Sequence, residues 1–134
     1  IKKLEETFLE DISKISKPQI LEFGVRHGQS TGMFIKVCEK NDGFLYSVDI
    51  DDNSKKFNSK NWKFIHGRDD NFKLVESFIP KKIDLVYIDS FHDSEHVAKI
   101  FYHYYPNDVF FTWGIDSAKQ IHVSNEHISN ILIF

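Results

Sequence analysis

The sequence predicts a doubly wound α/β fold, in which a mostly parallel β-sheet lies between two layers of helices. Segments with apolar residues at helical spacing alternate along the chain with short apolar runs of strand length, a pattern that is typical of such sheets. Acidic residues follow the ends of several of these runs, where the ligands of doubly wound sheets bind. The length of 134 residues and the hydrophobic content of 41% suit one domain over residues 1–134.

Each element is predicted from a local pattern. Strands are predicted over six apolar runs: 20–25, 44–49, 62–66, 83–88, 109–113 and 131–134. Helices are predicted where apolar residues recur at spacings of three and four: 4–15, 33–38, 72–79 and 97–104. The run over 83–88 is almost entirely apolar, so it is predicted to be a central strand that is buried on both faces. Little helical pattern follows residue 116, and the C-terminal part of the fold is predicted to be abbreviated.

Composition and charge disfavour several classes of function. The net charge is −3 and the lysines are scattered, so no nucleic-acid-binding surface is predicted. No signal-peptide pattern opens the sequence and no apolar run approaches the length of a membrane span, so a cytoplasmic location without a membrane partner is predicted. The one cysteine, Cys38, falls on the apolar side of a predicted helix and is predicted to be a packed thiol.

The segment after the first predicted strand has the pattern Glu22-x-Gly24-x-x-x-Gly28-x-Ser30-Thr31. Gly24 can adopt backbone angles closed to other residues, and Gly28 allows the main chain to approach a bound molecule. Ser30 or Thr31 can cap the helix that follows. Because glycines at 24, 28 and 32 do not form the G-x-G-x-x-G motif of dinucleotide-binding proteins, the pattern favours another small molecule. The alternative is a strand-turn-helix whose glycines serve only tight packing.

A second acid, Asp49, ends the predicted strand over 44–49. A carboxylate at this place can accept both hydroxyls of a ribose. The alternative is a solvated turn, because Asp51, Asp52 and Asn53 are polar as well.

The two motifs together resemble those of class I S-adenosylmethionine-dependent methyltransferases, which have a Rossmann-like fold. The resemblance implies S-adenosylmethionine as the cofactor, with its methionine part held by the glycine loop and its ribose by Asp49. Ile50 would then lie against the adenine. Asp69 would bond the adenine amino group, or Arg68 would take that position and Asp69 would cap the next helix. The cofactor-binding residues implied in this way are Glu22, Gly24, Gly28, Ser30, Asp49, Ile50 and Asp69.

Two acids are candidates for a metal site. Asp89 and Asp116 follow strands that are predicted to be neighbours, and carboxylates brought together there could bind Mg²⁺. Metal-dependent O-methyltransferases of this fold have such acids, with an asparagine after the second. Here Ser117 follows, so two ordinary strand-end acids are the alternative.

His92 is predicted to be the catalytic base, with Asp89 acting beside it as an orienting carboxylate or metal ligand. It lies three residues after Asp89, where the same enzymes place a lysine that deprotonates the acceptor hydroxyl, and an imidazole suits this task near neutral pH. The I-D-x-x-H pattern over 88–92 also resembles a bacterial subgroup of these methyltransferases. The alternative is that His92 caps or orients the next helix. Its spacing from His96 is that of a helical metal pair, but the rest of a zinc signature is lacking.

These patterns favour an S-adenosylmethionine-dependent methyltransferase that acts on a hydroxyl of a small molecule, of sugar or natural-product type. One alternative is a nucleotide-binding oxidoreductase, which the glycine spacing disfavours. Another is a methyltransferase-fold binding domain without catalytic activity, which the abbreviated C-terminal part favours. The predicted partners are the small-molecule acceptor and a second copy of the chain in a homo-oligomer.

Overall fold

A computed structural model describes residues 10–89, 94–104, 119–122 and 128–133. The strands are β1 (Gln19–Phe23), β2 (Phe44–Asp49), β3 (Trp62–His66), β4 (Ile83–Ile88), β5 (Lys119–His122) and β6 (Ile128–Ile133). The helices are α1 (Gln29–Asn41), α2 (Phe72–Glu76) and α3 (Ser94–Tyr104), and residues 10–12 are also helical. Strands β2, β3 and β4 have the bounds that the sequence predicts.

The six strands form one sheet in the order β3-β2-β1-β4-β6-β5. Every neighbouring pair is parallel except β5 and β6. The chain proceeds outward from β1 to β3 and then returns to place β4 on the other side of β1, so the order reverses between β1 and β4. This topology confirms the doubly wound, Rossmann-like α/β fold.

Apolar side chains cover both faces of the sheet. Along β1, Leu21 and Phe23 belong to one core cluster and Ile20 to the other, because successive strand residues point to opposite faces. Helix α3 packs on the first cluster and α1 on the second. Cys38 is fully buried in the second cluster, where burial raises the pKa of its thiol to about 12. The prediction of a packed thiol is therefore confirmed.

The structure differs from the prediction in several element bounds and in the order of the strands. β6 begins at Ile128, before the predicted strand over 131–134, and α2 ends at Glu76, before the predicted residue 79. β1 ends at Phe23 because Gly24, with φ of 95°, leaves the extended conformation. β5 was not predicted, since its sequence Lys-Gln-Ile-His contains a single apolar residue. The predicted neighbour of β4 was the strand over 109–113, which lies outside the described residues. That prediction is wrong, because the two edges of β4 pair with β1 and β6.

The longest described helix, α1, has 13 residues. Among the described helices, none has both the length and the apolar character needed to cross a bilayer.

Candidate functional site

A cavity of about 430 Å³ opens at the carboxyl ends of the parallel strands. It lies where the strand order reverses, which is the position at which doubly wound sheets bind ligands. The segments after β1, β2, β3 and β4 all contribute to its wall, and α3 contributes one side chain. The described lining includes Gly24, Arg26, Asp49, Ile50, Asp69, Asp89 and His96.

The loop after β1 has an unusual backbone that only some residue types tolerate. Gly24 and Gly28 have φ of 95° and 83°, and Arg26 between them has φ of 51°. The left-handed region suits glycine but is uncommon for a residue with a long side chain. Gly24 lies in the cavity wall, and its amide donates to the carbonyl oxygen of Val48 at 2.9 Å. The predicted need for glycine at position 24 is thus confirmed.

Gly28 serves the packing of the loop. It is the N-cap of α1 but does not line the cavity. A Cβ atom on Gly28 would lie 3.0 Å from the ring of Phe57 and 3.1 Å from Cδ of Lys56. Position 28 therefore requires glycine for both its conformation and its neighbours.

Glu22 is fully buried beneath the loop and does not line the cavity. It accepts hydrogen bonds from Ser30 Oγ at 2.7 Å, Thr31 Oγ1 at 2.6 Å and Ser47 Oγ at 2.8 Å. Burial is the main cause that raises the pKa of its carboxyl group to about 7, against the lowering effect of the three hydroxyls. Through these hydrogen bonds Glu22, which belongs to β1, links the start of α1 and strand β2 to its own strand.

The predicted helix cap is therefore wrong. The hydroxyls of Ser30 and Thr31 donate to Glu22, and the N-cap residue of α1, Gly28, has no side chain with which to cap. Glu22, Gly28 and Ser30 are thus held by contacts within the protein and are not among the described lining residues of the cavity, and their assignment to cofactor binding stays a prediction.

Asp49 joins the loop to the end of β2. Its Oδ2 accepts from the amide of Val25 at 2.9 Å and from that of Arg26 at 3.4 Å, and its Oδ1 accepts from the amide of Asp51 at 3.0 Å. The carboxylate lines the cavity and shapes the loop at the same time. Ile50 beside it is 65% exposed, which gives the cavity an apolar rim.

The acids after β3 have separate partners. Asp70 receives both Nε and Nη2 of Arg68, at 2.9 and 3.1 Å, and this guanidinium holds the pKa of Asp70 well below its usual range. Asp69 lines the cavity, where its Oδ1 lies 2.7 Å from Nε2 of His96. Neither aspartate caps α2, because the side chain of Asn71 accepts the amide of Leu74 there. The capping alternative for Asp69 is therefore wrong.

Asp89 follows β4 and also lines the cavity. Its amide donates to the carbonyl oxygen of Phe23 at 2.8 Å, which holds it against β1. Its Oδ1 lies 3.8 Å from Nη2 of Arg26. The other predicted metal ligand, Asp116, and the predicted base, His92, lie outside the described residues. Within the described part of the chain, no group of three or more histidine, cysteine or acidic residues could hold a metal ion.

The described cavity wall carries more acidic than basic groups. The described lining includes two arginines and four aspartates, which are Asp49, Asp51, Asp69 and Asp89. Such a wall attracts a cationic ligand more strongly than a polyanion such as a pyrophosphate.

Sequence reasoning did not assign Arg26 and His96 to the site. Arg26 has no signal of its own, since one arginine in a glycine loop indicates nothing about its backbone angles. His96 was noticed only for its spacing from His92, whereas its partner, Asp69, lies 27 residues away. Only the packing of α3 beside the loop after β3 brings the two together.

Residues 21–107 match a family model described as a methyltransferase domain. The match covers more than half of the chain and includes β1 to β4 with the cavity between them. The chain therefore belongs to the methyltransferase domain family, as the resemblance to class I S-adenosylmethionine-dependent methyltransferases predicted. No curated protein matches the chain significantly.

Proposed function

We propose that this domain transfers a methyl group from S-adenosylmethionine to a hydroxyl of a small molecule. One observation carries the proposal: the segments after four successive parallel strands line a single cavity in a chain of the methyltransferase family. Its volume of about 430 Å³ lies within the range of about 300–1,000 Å³ that is usual for small-molecule sites.

The described residues fit this cofactor. Gly24 brings bare backbone to the cavity wall, as the close approach of an extended ligand requires. Ile50 offers an exposed apolar surface of the kind on which a base can stack. The excess of carboxylates suits the positive sulfonium, whereas it opposes the pyrophosphate of a dinucleotide.

Asp49 and Asp69 are the residues that we expect to fix the nucleoside. Oδ1 of Asp49 accepts a single amide, so it has a second lone pair for a ribose hydroxyl. Asp69 is oriented by His96 and stands on the cavity wall as an acceptor for the adenine amino group. Arg68, the alternative at this place, is bound on two nitrogens by Asp70. This arrangement favours Asp69 for the adenine.

The cofactor supplies an already activated methyl group on its sulfonium. The protein has to orient the acceptor oxygen and to take up its proton. His92 remains our candidate for the base on the sequence pattern alone, and Asp89 precedes it in the chain by three residues. We expect the substitution His92→Ala to lower the methyl-transfer rate by about 10²–10⁴-fold with almost unchanged cofactor affinity. Unchanged turnover in this variant would show that His92 is not the base.

Calorimetric titration with S-adenosylhomocysteine and with NAD tests the proposal. We expect binding of the first ligand only, and binding of NAD alone would favour the oxidoreductase instead. A methyl-transfer assay over a panel of hydroxylated acceptors then separates an enzyme from a binding domain without catalytic activity. Repeating the assay in EDTA tests the magnesium ion, because a metal-dependent enzyme would lose activity there. The small-molecule acceptor, homo-oligomer and cytoplasmic location remain predictions.

A further inference from the structure

The connection between β2 and β3, residues 50–61, lies against the loop after β1. Nζ of Lys56 donates to the carbonyl oxygen of Arg26 at 2.7 Å. The ring of Phe57 packs beside Gly28, where an added Cβ would lie 3.0 Å from the ring. The connection therefore contacts the backbone of this loop at two points.

Hydrogen bonds within the connection fix the position of Lys56. Its amide donates to the carbonyl oxygen of Asn53 at 3.0 Å, which closes a turn, and its Nζ donates to Oδ1 of Asn53 at 3.1 Å. In the same turn the amide of Ser54 donates to Oδ1 of Asp52 at 3.0 Å, a bond of the kind by which aspartate stabilises turns. The turn thus directs the ammonium group of Lys56 at the loop after β1.

Phe57 is held by a second set of contacts. Its ring meets that of Trp62 edge to face, with the ring centroids 5.5 Å apart, and both rings pack against the second core cluster. The indole nitrogen of Trp62 donates to Ser47 Oγ, which in turn donates to Glu22. Phe57 also lies next to Gly32 in α1, whose added Cβ would be 3.5 Å from its ring. The start of α1 is thus packed from outside by a ring that the sheet supports.

The carbonyl group that Lys56 contacts belongs to a residue with an unfavourable backbone conformation. Arg26 has φ of 51°, and the left-handed region is costly for a residue with a Cβ atom. Such conformations persist where the surrounding structure enforces them. The amide of Arg26 donates to Oδ2 of Asp49 at 3.4 Å, so the contact from Lys56 at 2.7 Å is the shorter of these two. Without Lys56, the loop should spend part of its time in other conformations.

We propose that Lys56 and Phe57 are positioning residues that hold the loop after β1 in the conformation that accepts the cofactor. Neither is among the described lining residues of the cavity, so both act through the backbone of residues 26 and 28. The inference rests on the proposed function, because it concerns the affinity for that cofactor. A protein that is only partly in its binding conformation binds more weakly in proportion to the populated fraction.

Calorimetric titration with S-adenosylhomocysteine tests the role of Lys56. Lys56→Met removes the donor and keeps most of the side chain, and we expect it to lower the affinity by about 3–10-fold. Lys55→Met is the matched control, because Lys55 is exposed in the same turn and makes no hydrogen bond to the loop after β1 among the described residues. Its affinity should stay within about twofold of the parent. Since both substitutions remove one positive charge from the same segment, their difference reports the contact with Arg26.

A double-mutant cycle with Arg26→Asn shows whether Lys56 acts through the backbone of residue 26. Asparagine tolerates the left-handed conformation better than arginine, so the loop should depend less on Lys56 in that background. Whatever affinity Arg26→Asn itself has, adding Lys56→Met should lower it by less than about twofold. A general loss of structure would instead weaken binding by the same factor in both backgrounds.

Phe57 is tested with two substitutions of different size. Phe57→Ala should weaken binding by about 3–10-fold, and Phe57→Leu by a smaller factor, because leucine fills part of the space beside Gly28. Both are titrated where urea unfolding shows the variant to be folded, so that lost stability is not counted as lost affinity. If alanine unfolds the domain, Phe57→Leu provides the comparison.

Three outcomes would overturn the inference while leaving the proposed function in place, because the parent would still bind S-adenosylhomocysteine. Lys56→Met would bind as tightly as Lys55→Met, its effect would be the same with and without Arg26→Asn, or folded Phe57 variants would bind like the parent. A parent that does not bind S-adenosylhomocysteine would refute the proposed function and the inference with it.

Discussion

The buried carboxyl group of Glu22 makes the stability of this domain depend on pH in an unusual direction. Its pKa is about 7 in the folded protein, against an ordinary value of 4.5. Between these two values the folded protein holds a proton that the unfolded chain releases. Stability is therefore fully present below about pH 4.5, falls as the pH rises and is lost above about pH 7. The difference corresponds to about 3 kcal/mol in the free energy of unfolding.

Glu22→Gln tests this reasoning, because glutamine has nearly the same shape and does not ionise. The hydroxyls of Ser30, Thr31 and Ser47 can each donate or accept, so they can still bond to the amide. We expect the parent to lose about 2–3 kcal/mol of stability relative to the variant between pH 5 and pH 8. Taking the difference between the two proteins cancels the titration of every other group.

The measurement is urea unfolding at several pH values, followed by tryptophan fluorescence. Trp62 is a suitable reporter, since its indole nitrogen donates to Ser47 Oγ at 2.9 Å and so contacts the Glu22 network. Thr31→Val is a control that removes one donor to Glu22 and should raise its pKa further, because that hydrogen bond stabilises the charged form. A stability difference between parent and Glu22→Gln that stays constant within about 0.5 kcal/mol from pH 5 to pH 8 would refute the argument.

Two further predictions concern the loop after β1 and the residues that we propose to bind the adenine. Gly28→Ala should lower the free energy of unfolding by about 1–3 kcal/mol, because residue 28 has a left-handed backbone and its added methyl group would meet the ring of Phe57. Gly32→Ala is the control and should be neutral or stabilising, because its Cβ would make only an ordinary contact with Phe57 at 3.5 Å. Equal effects of the two substitutions in urea unfolding would contradict this assignment. Asp69→Asn should reduce the preference for S-adenosylhomocysteine over its hypoxanthine analogue by about 10-fold, since it removes a charged acceptor for the adenine amino group. His96→Leu should reduce the same preference less. An unchanged preference in both variants would show that Asp69 and His96 do not contribute to binding of the adenine.

The sequence by itself determined the architecture around the cavity. Runs of apolar residues with the length of a strand fixed β2, β3 and β4, since a buried parallel strand needs apolar side chains on both faces. Gly24 and Asp49 were also predictable, because a glycine after the first strand and an acid after the second are local patterns. The family followed from the same two motifs, and the match to the methyltransferase domain confirms it.

Only the tertiary structure decided which side chains meet. Glu22 was expected at the ligand, but its oxygens receive hydroxyls from residues 8, 9 and 25 positions away and lie beneath the loop. Position 28 needs glycine because Phe57 packs on it, which no spacing between glycines can indicate. The neighbour of β4 and the pairing of His96 with Asp69 depend likewise on contacts between distant segments. Local patterns specify the backbone, whereas the partner of a polar side chain is set by whichever part of the fold packs against it.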